Sequence, residues 1–155
     1  MLDREEDILN NLVGRFGFLK DKGFIARERR IFLEVPKEEF MEVISYAANS
    51  LKFDYLCTIT GLDAGDDLQF IYHIANAEGV VLNLKIKVPK SDPVVRTVTG
   101  TFNGAVFYER ELEGLLGAKV EGLPKGRHYP LPDNWPEGQY PLRKDWKPEM
   151  ISRSE

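Results

Sequence analysis

The sequence predicts an α+β fold: a mixed or antiparallel sheet with a central hairpin, flanked by about three helices and followed by an extended Pro-rich C-terminal arm. Three observations predict it. Val80, Leu82, Leu84, Ile86 and Val88 alternate with Val81, Asn83, Lys85 and Lys87, the period of a strand with one buried face. Ala105, Tyr108, Leu112, Leu115 and Leu116 fall at helical spacing within about a third of the circumference. Six of the nine prolines lie between Leu123 and Pro148, where no periodicity survives.

Taken in order, residues 3–16 read as a helix. Asp3 and Glu6 have the spacing of a capping box, Ile8, Leu12, Val13 and Phe16 form a stripe, and Gly17 is placed to stop it. Phe18 to Gly23 reads as a turn, and the stretch after it ends in the strand Ile31-Phe32-Leu33-Glu34-Val35, closed by Pro36. Lys37 to Leu51 reads as the second helix, with Phe40, Val43, Ile44 and Ala47 inward. Tyr55 to Leu62 is rich in β-branched and aromatic residues and reads as a strand. Gly61, Gly65, Asp63, Asp66 and Asp67 read as the turn that follows. Leu68 to Ala75 and Val80 to Val88 form the hairpin, joined through Asn76-Ala77-Glu78-Gly79. Lys90 to Asn103 reads as a connection that can hold a short helical turn. The third helix, Ala105 to Gly117, has Glu109 and Glu111 at the borders of its apolar stripe and Arg110 pointing away. The chain thus divides into a compact domain over 1–122 and an arm over 123–155.

Composition narrows the function. At 155 residues, one domain with a sizeable core is expected. A net charge of −4 argues against a general nucleic-acid binder. No window reaches the ~18 apolar residues of a membrane span, and the acidic N-terminus does not resemble a signal peptide. A cytoplasmic chain is expected. Cys57 is the only cysteine, which excludes an intrachain disulfide and a Cys-based cluster within this chain. Abundant charge with only two glutamines, Gln69 and Gln139, leans toward a thermophile.

No phosphate-loop, dinucleotide, nucleophile-elbow or zinc-helix motif is present. His73 reads as a sheet histidine, His128 as a surface or interface contact, and Cys57 as a small core hydrophobe. Asp63, Asp66 and Asp67 could hold a cation but read better as a solvated loop, since EF-hand spacing is absent. Glu109 and Glu111 could suggest acid–base chemistry. However, positions i and i+2 diverge by about 200° on a helix and cannot share one substrate atom. A solvated helix face, with Arg110 pairing Glu113, is the bland alternative. The better reading is a set of docking groups beside a buried stripe. No catalytic, cofactor-binding or metal-binding residue is expected.

Several segments, in order, resemble the 30-kDa subunit family of respiratory complex I and its relatives, which include membrane-bound, energy-converting [NiFe] hydrogenases. They are Phe70-Ile71-Tyr72-His73, Lys87-Val88-Pro89, Asp92-Pro93-Val94-Val95 and Thr97-Val98-Thr99. Next come Tyr108 with Glu109-Arg110-Glu111 and Gly117, then Leu131-Pro132-Asp133-Asn134-Trp135 and Pro141-Leu142-Arg143-Lys144-Asp145-Trp146. The resemblance covers Tyr55 to Trp146. Gly114, Leu116 and Leu123 depart from the NADH-linked pattern, and the look is nearer the hydrogenase branch. The resemblance implies a protein without a cofactor or a catalytic centre of its own. It would dock on a large [NiFe]-hydrogenase-like or 49-kDa-like subunit beside small iron–sulfur subunits, on the inner face of the cell membrane and touching the membrane only through the complex. The expected interface is Glu109, Arg110, Glu111, Arg127, Trp135, Arg143, Lys144, Asp145 and Trp146. One competing expectation is a complex I (NADH:quinone oxidoreductase) 30-kDa-type subunit or a related ferredoxin- or F420-linked dehydrogenase subunit. The others are a stand-alone enzyme using Glu109, Glu111 and His73, and a self-contained binding module whose arm folds back on its own sheet.

Overall fold

In a computed structural model, residues 2–151 are described; the last residues of the expected arm, 152–155, lie outside them. The order is α1 (Asp3–Arg15), β1 (Gly23–Arg27), β2 (Arg30–Glu34), α2 (Phe40–Asn49), β3 (Tyr55–Asp63), β4 (Asp67–Ala75), β5 (Val81–Pro89), β6 (Val94–Arg96), α3 (Ala105–Glu111) and β7 (Lys119–Glu121). The five-stranded sheet runs β1-β2-β5-β4-β3. β1 and β2 are antiparallel, while β2 and β5 are parallel with Ile31 opposite Leu82 and Leu33 opposite Leu84. The sheet is therefore mixed, and the fold is α+β as the sequence predicts. A separate parallel pair, β6 with β7, sets Val95 opposite Val120.

Two compact units divide the chain: residues 1–60 with 70–86, and residues 61–69 with 87–155. The first has a core of Leu12, Leu19, Ile31, Leu33, Val43, Ile44, Phe53, Phe70, Ile74, Leu82 and Leu84, with Phe40 tilted against Tyr72 at 4.5 Å. The second has its own core of Leu68, Val88, Val95, Val98, Phe102, Ala105, Leu112, Leu116 and Val120. The inward face read in β5 holds, since Leu82, Leu84, Ile86 and Val88 are all buried, but Asn83 on the opposite face is buried as well.

Four local expectations change. Asp3 does not cap α1; it is the first helical residue, and no side chain caps that end. Its carboxylate, with those of Glu5 and Glu6, lies in the first turn, where the helix dipole favours negative charge. The stretch before Ile31 contains a strand of its own, β1, which makes an antiparallel hairpin with β2. Its turn lacks glycine, asparagine and proline, and Arg29 takes the left-handed conformation at φ 62°, so the usual turn signal is missing. The second helix is shorter than expected, because residues 37–39 form a 3₁₀ turn and the α-helix spans Phe40–Asn49. The connection after β5 contains β6, whose three residues are too few for periodicity to show.

Gly14 gives a direct check of the helix argument. It is exposed on α1, and a Cβ built there meets nothing within 4 Å. Gly14→Ala is expected to stabilise the chain by about 0.5–1 kcal/mol through lower backbone entropy in the unfolded state, read as a higher midpoint in urea unfolding.

Candidate docking site

α3 begins at Ala105 and gives way at Leu112 to a π-helical turn, Leu112–Leu116. Gly117 closes it in the left-handed conformation at φ 75°, and the Ala118 N–H reaches back to the Leu112 carbonyl at 3.1 Å. This is the glycine stop the sequence predicts. The buried face is Ala105, Glu109, Leu112 and Leu116, while Tyr108 and Leu115 sit at its borders. Glu109 is therefore in the middle of the stripe rather than at its edge.

The Glu109 side chain is used inside the chain. One carboxylate oxygen accepts the Val98 N–H at 2.7 Å, and the other accepts the Thr97 hydroxyl. Burial raises its pKa above the usual glutamate range; the two hydrogen bonds oppose that shift, and the nearby charge of Glu113 adds to it. Glu113 is also raised, first by burial, against a hydrogen bond from the Val120 N–H at 3.3 Å and the charge of Arg110. Glu111 is half-buried. Arg110 turns toward the following segment and donates to the carbonyls of Pro124 and Lys125 at 3.2 and 3.4 Å.

From Leu123 to Ile151, the described chain carries no helix or strand beyond one turn at Pro148–Met150. It is nevertheless tied down. Leu142 N–H bonds to the Leu115 carbonyl at 3.0 Å, and Arg143 Nε to the Leu116 carbonyl at 2.7 Å. These carbonyls belong to the last helical turn, which has no partners of its own further along the helix. The Arg143 guanidinium also lies 4.8 Å over the Tyr140 ring. Trp135 and Trp146 converge on one residue: Trp135 Nε1 donates to the Gln139 carbonyl at 2.8 Å, and Trp146 Nε1 donates to the Gln139 side-chain oxygen at 2.9 Å. The Lys144 N–H bonds to Asp63 at 2.9 Å, and the Asp145 carboxylate meets Lys90 at 3.0 Å. Arg127 pairs with Asp133 at 2.8 Å on an exposed surface.

Among the described residues, this segment borders at least two open clefts. The larger, of about 400 Å³, is lined by Arg110, Glu113, Arg127, His128, Trp135 and Tyr140 among others. The smaller, of about 170 Å³, is lined by Gln139, Tyr140, Arg143, Asp145, Trp146 and Met150 with Gly138. Arg110, Arg127 and Trp135 therefore share one cleft, and Arg143, Asp145 and Trp146 share the other. Glu109, Glu111 and His73 line neither. His73 is accounted for within the sheet, with Asn83 on Nδ1 and Thr60 on Nε2 at 2.8 Å. Asn83 in turn donates to the Ile31 carbonyl at 2.8 Å. Among the described residues, no group of three His, Cys, Asp or Glu side chains could hold a metal ion, and no helix is long and apolar enough to cross a membrane.

Two residues of this region escape sequence reasoning. Gln139, which joins the two tryptophans, gives no signal beyond being one of two glutamines. Asp63 reads with Asp66 and Asp67 as a solvated turn. It is instead buried, accepts from Gly65 N–H at 2.9 Å and Lys90 Nζ at 2.7 Å as well as from Lys144, and its pKa falls to about 2. Burial acts to raise that pKa, and the Lys90, Lys144 and Gly65 hydrogen bonds with the Lys90 charge outweigh it. Asp63 therefore stabilises the folded chain above the ordinary aspartate range, and this contribution is lost as pH falls toward 2.

These features define a small α+β protein whose open clefts are bordered by an irregular, aromatic-rich C-terminal segment. Residues 33–150 match the family described as the respiratory-chain NADH dehydrogenase 30-kDa subunit. The chain belongs to that family.

Its relatives include a component of the F420H2 dehydrogenase of Methanosarcina mazei, 36% identical over 90% of each chain. The beta component of the membrane-bound hydrogenase of Pyrococcus furiosus is 32% identical over 76% of this chain and 70% of its own. In fold, the chain resembles a component of the membrane-bound sulfane sulfur reductase, an archaeal respiratory membrane complex (TM-score 0.83, 24% identity, 96% of this chain and 89% of that one). It also resembles the trypsin-resistant fragment 1–134 of Nqo5 (TM-score 0.66, 24% identity, 79% of this chain and 99% of that one).

Proposed function

We propose that this chain is a peripheral-arm subunit of a membrane-bound hydrogenase or complex I-like respiratory assembly, without catalysis of its own. It docks on the large [NiFe]-bearing or quinone-site subunit, with small iron–sulfur subunits nearby, at the cytoplasmic face of the membrane. The observation that carries this reading is the similarity, over most of the chain, to subunits of such assemblies, 90% of both chains in the dehydrogenase case. The clefts bordered by Arg110, Arg127, Trp135, Arg143 and Trp146 support it, because interface anchors are typically aromatic residues and arginines. In this reading Glu109 holds α3 in place rather than touching the partner, and Arg110 with the 123–155 arm forms the contact.

A second branch is favoured by one observation: the F420H2 dehydrogenase relative is more similar, and over more of its length, than the hydrogenase relative. The large subunit that co-purifies decides between them. Paired CxxC motifs near both of its ends place the assembly among the hydrogenases, and their absence places it among the dehydrogenases. Truncation after Gly122 is expected to abolish co-purification with that subunit. Normal assembly of the truncated chain removes the arm from the interface.

A further inference from the structure

We propose that Asp63 and Lys90 are positioning residues for docking: together they latch the Pro141–Trp146 segment in place in the free subunit, so that it meets its partner already shaped. This rests on the docking reading only in its last step, the meeting with a partner.

The geometry has three parts. Asp63, at the end of β3, is 5% exposed, and the Lys144 N–H that it binds lies far along the chain. The contact is made through the backbone of residue 144, so it fixes the course of the chain there. Lys90 then bridges two carboxylates, Asp63 at 2.7 Å and Asp145 at 3.0 Å. The same segment is held on its other flank by the Leu142 N–H and the Arg143 guanidinium on the carbonyls of Leu115 and Leu116. A charge-assisted bond into a buried carboxylate is among the stronger kinds of hydrogen bond. Here it ties the segment to the end of β3, apart from the helix-end carbonyls and the contacts with Gln139 and Tyr140 that hold it elsewhere.

The latch leaves apolar surface outward. Leu142, whose own N–H is one of the anchors, is 53% exposed, and Met150 beyond the anchors is 44% exposed. A segment fixed by its main chain while an apolar side chain faces solvent has the form of a preorganised contact. Binding such a segment avoids the ordering cost that a disordered arm would meet on association.

The test is amide hydrogen exchange on the isolated full-length chain, wild type beside Asp63→Ala, Asp63→Asn and Lys90→Met. The Leu142 and Lys144 amides are expected to be protected in the wild type. In Asp63→Ala they exchange at least ten-fold faster, while the amides of Leu82 and Leu84 keep their protection. Asp63→Asn, which keeps an acceptor oxygen for the Lys144 N–H but loses the ion pair, is expected to fall between. If Asp63→Ala does not fold, Lys90→Met carries the comparison. Exchange at unfolded-chain rates in the wild-type segment, or unchanged protection in the variants, overturns the latch.

Association with the co-expressed large subunit is then compared. Several-fold slower association of Asp63→Ala supports pre-positioning, and equal rates overturn it. If the wild type itself does not associate, the docking reading fails while the exchange result still decides the latch.

Discussion

Glu109→Ala is expected to destabilise the chain by about 3 kcal/mol, whereas Glu111→Ala changes stability by no more than about 0.5 kcal/mol. The two residues are neighbours in one triplet, but only Glu109 is fully buried. Its removal leaves the Val98 N–H and the Thr97 hydroxyl without this acceptor. For a domain of this size the loss corresponds to a melting midpoint lower by about 6–12 °C, measurable by calorimetry. Glu109→Gln keeps an acceptor for the Val98 N–H and is expected to be much milder. It also changes the pH dependence. Burial raises the Glu109 pKa, so the folded chain holds this proton to higher pH than the unfolded chain does. Stability from this group is therefore greatest below the ordinary glutamate range and declines as pH rises through the raised pKa. That part of the decline is lost in Glu109→Gln, leaving the smaller decline that the raised Glu113 contributes, and an unchanged slope overturns the assignment.

Gly117→Val is expected to release the end of the helix and the segment lying on it together. The left-handed backbone at φ 75° costs a side-chain-bearing residue about 1–2 kcal/mol, and more when it is β-branched. A Cβ at that position would also stand 2.6 Å from the Tyr140 ring, closer than real contacts allow. Tyr140 is pinned by Arg143, which is itself bonded to the Leu116 carbonyl, so the ring cannot move without disturbing both. The expected readouts are a lower urea midpoint and rapid proteolysis between residues 123 and 146. A variant that keeps wild-type stability and protease resistance would show that Tyr140 has room to withdraw.

Much of this architecture is legible in residue patterns because those patterns are local. The alternation of Val80 to Val88 and the spacing of Leu12, Phe40 and Val43 each record one buried face, and those residues are buried. Gly117 is legible because a left-handed stop demands glycine. What escapes depends on partners distant in sequence. Glu109 reads as a border residue of α3 because a carboxylate is normally excluded from a core. It is tolerated there because the loop at Thr97 and Val98 supplies donors that no helical period reveals. Asp63 reads as a solvated turn residue for the same reason, since Lys90 and Lys144 are invisible from its neighbourhood in the chain. The hairpin turn at Arg29 escapes because its left-handed residue is not glycine or asparagine.

The convergence of Trp135 and Trp146 on Gln139 has a practical consequence. The chain's two tryptophans both lie in the C-terminal segment, with ring centres 6.1 Å apart and each indole N–H donating to the same glutamine. Intrinsic fluorescence excited at the indole band therefore reports on this segment almost alone, without any label. Opening of the segment, or its burial by another protein, becomes a change in emission wavelength and in energy exchange between the two rings, followed in real time on the unmodified protein.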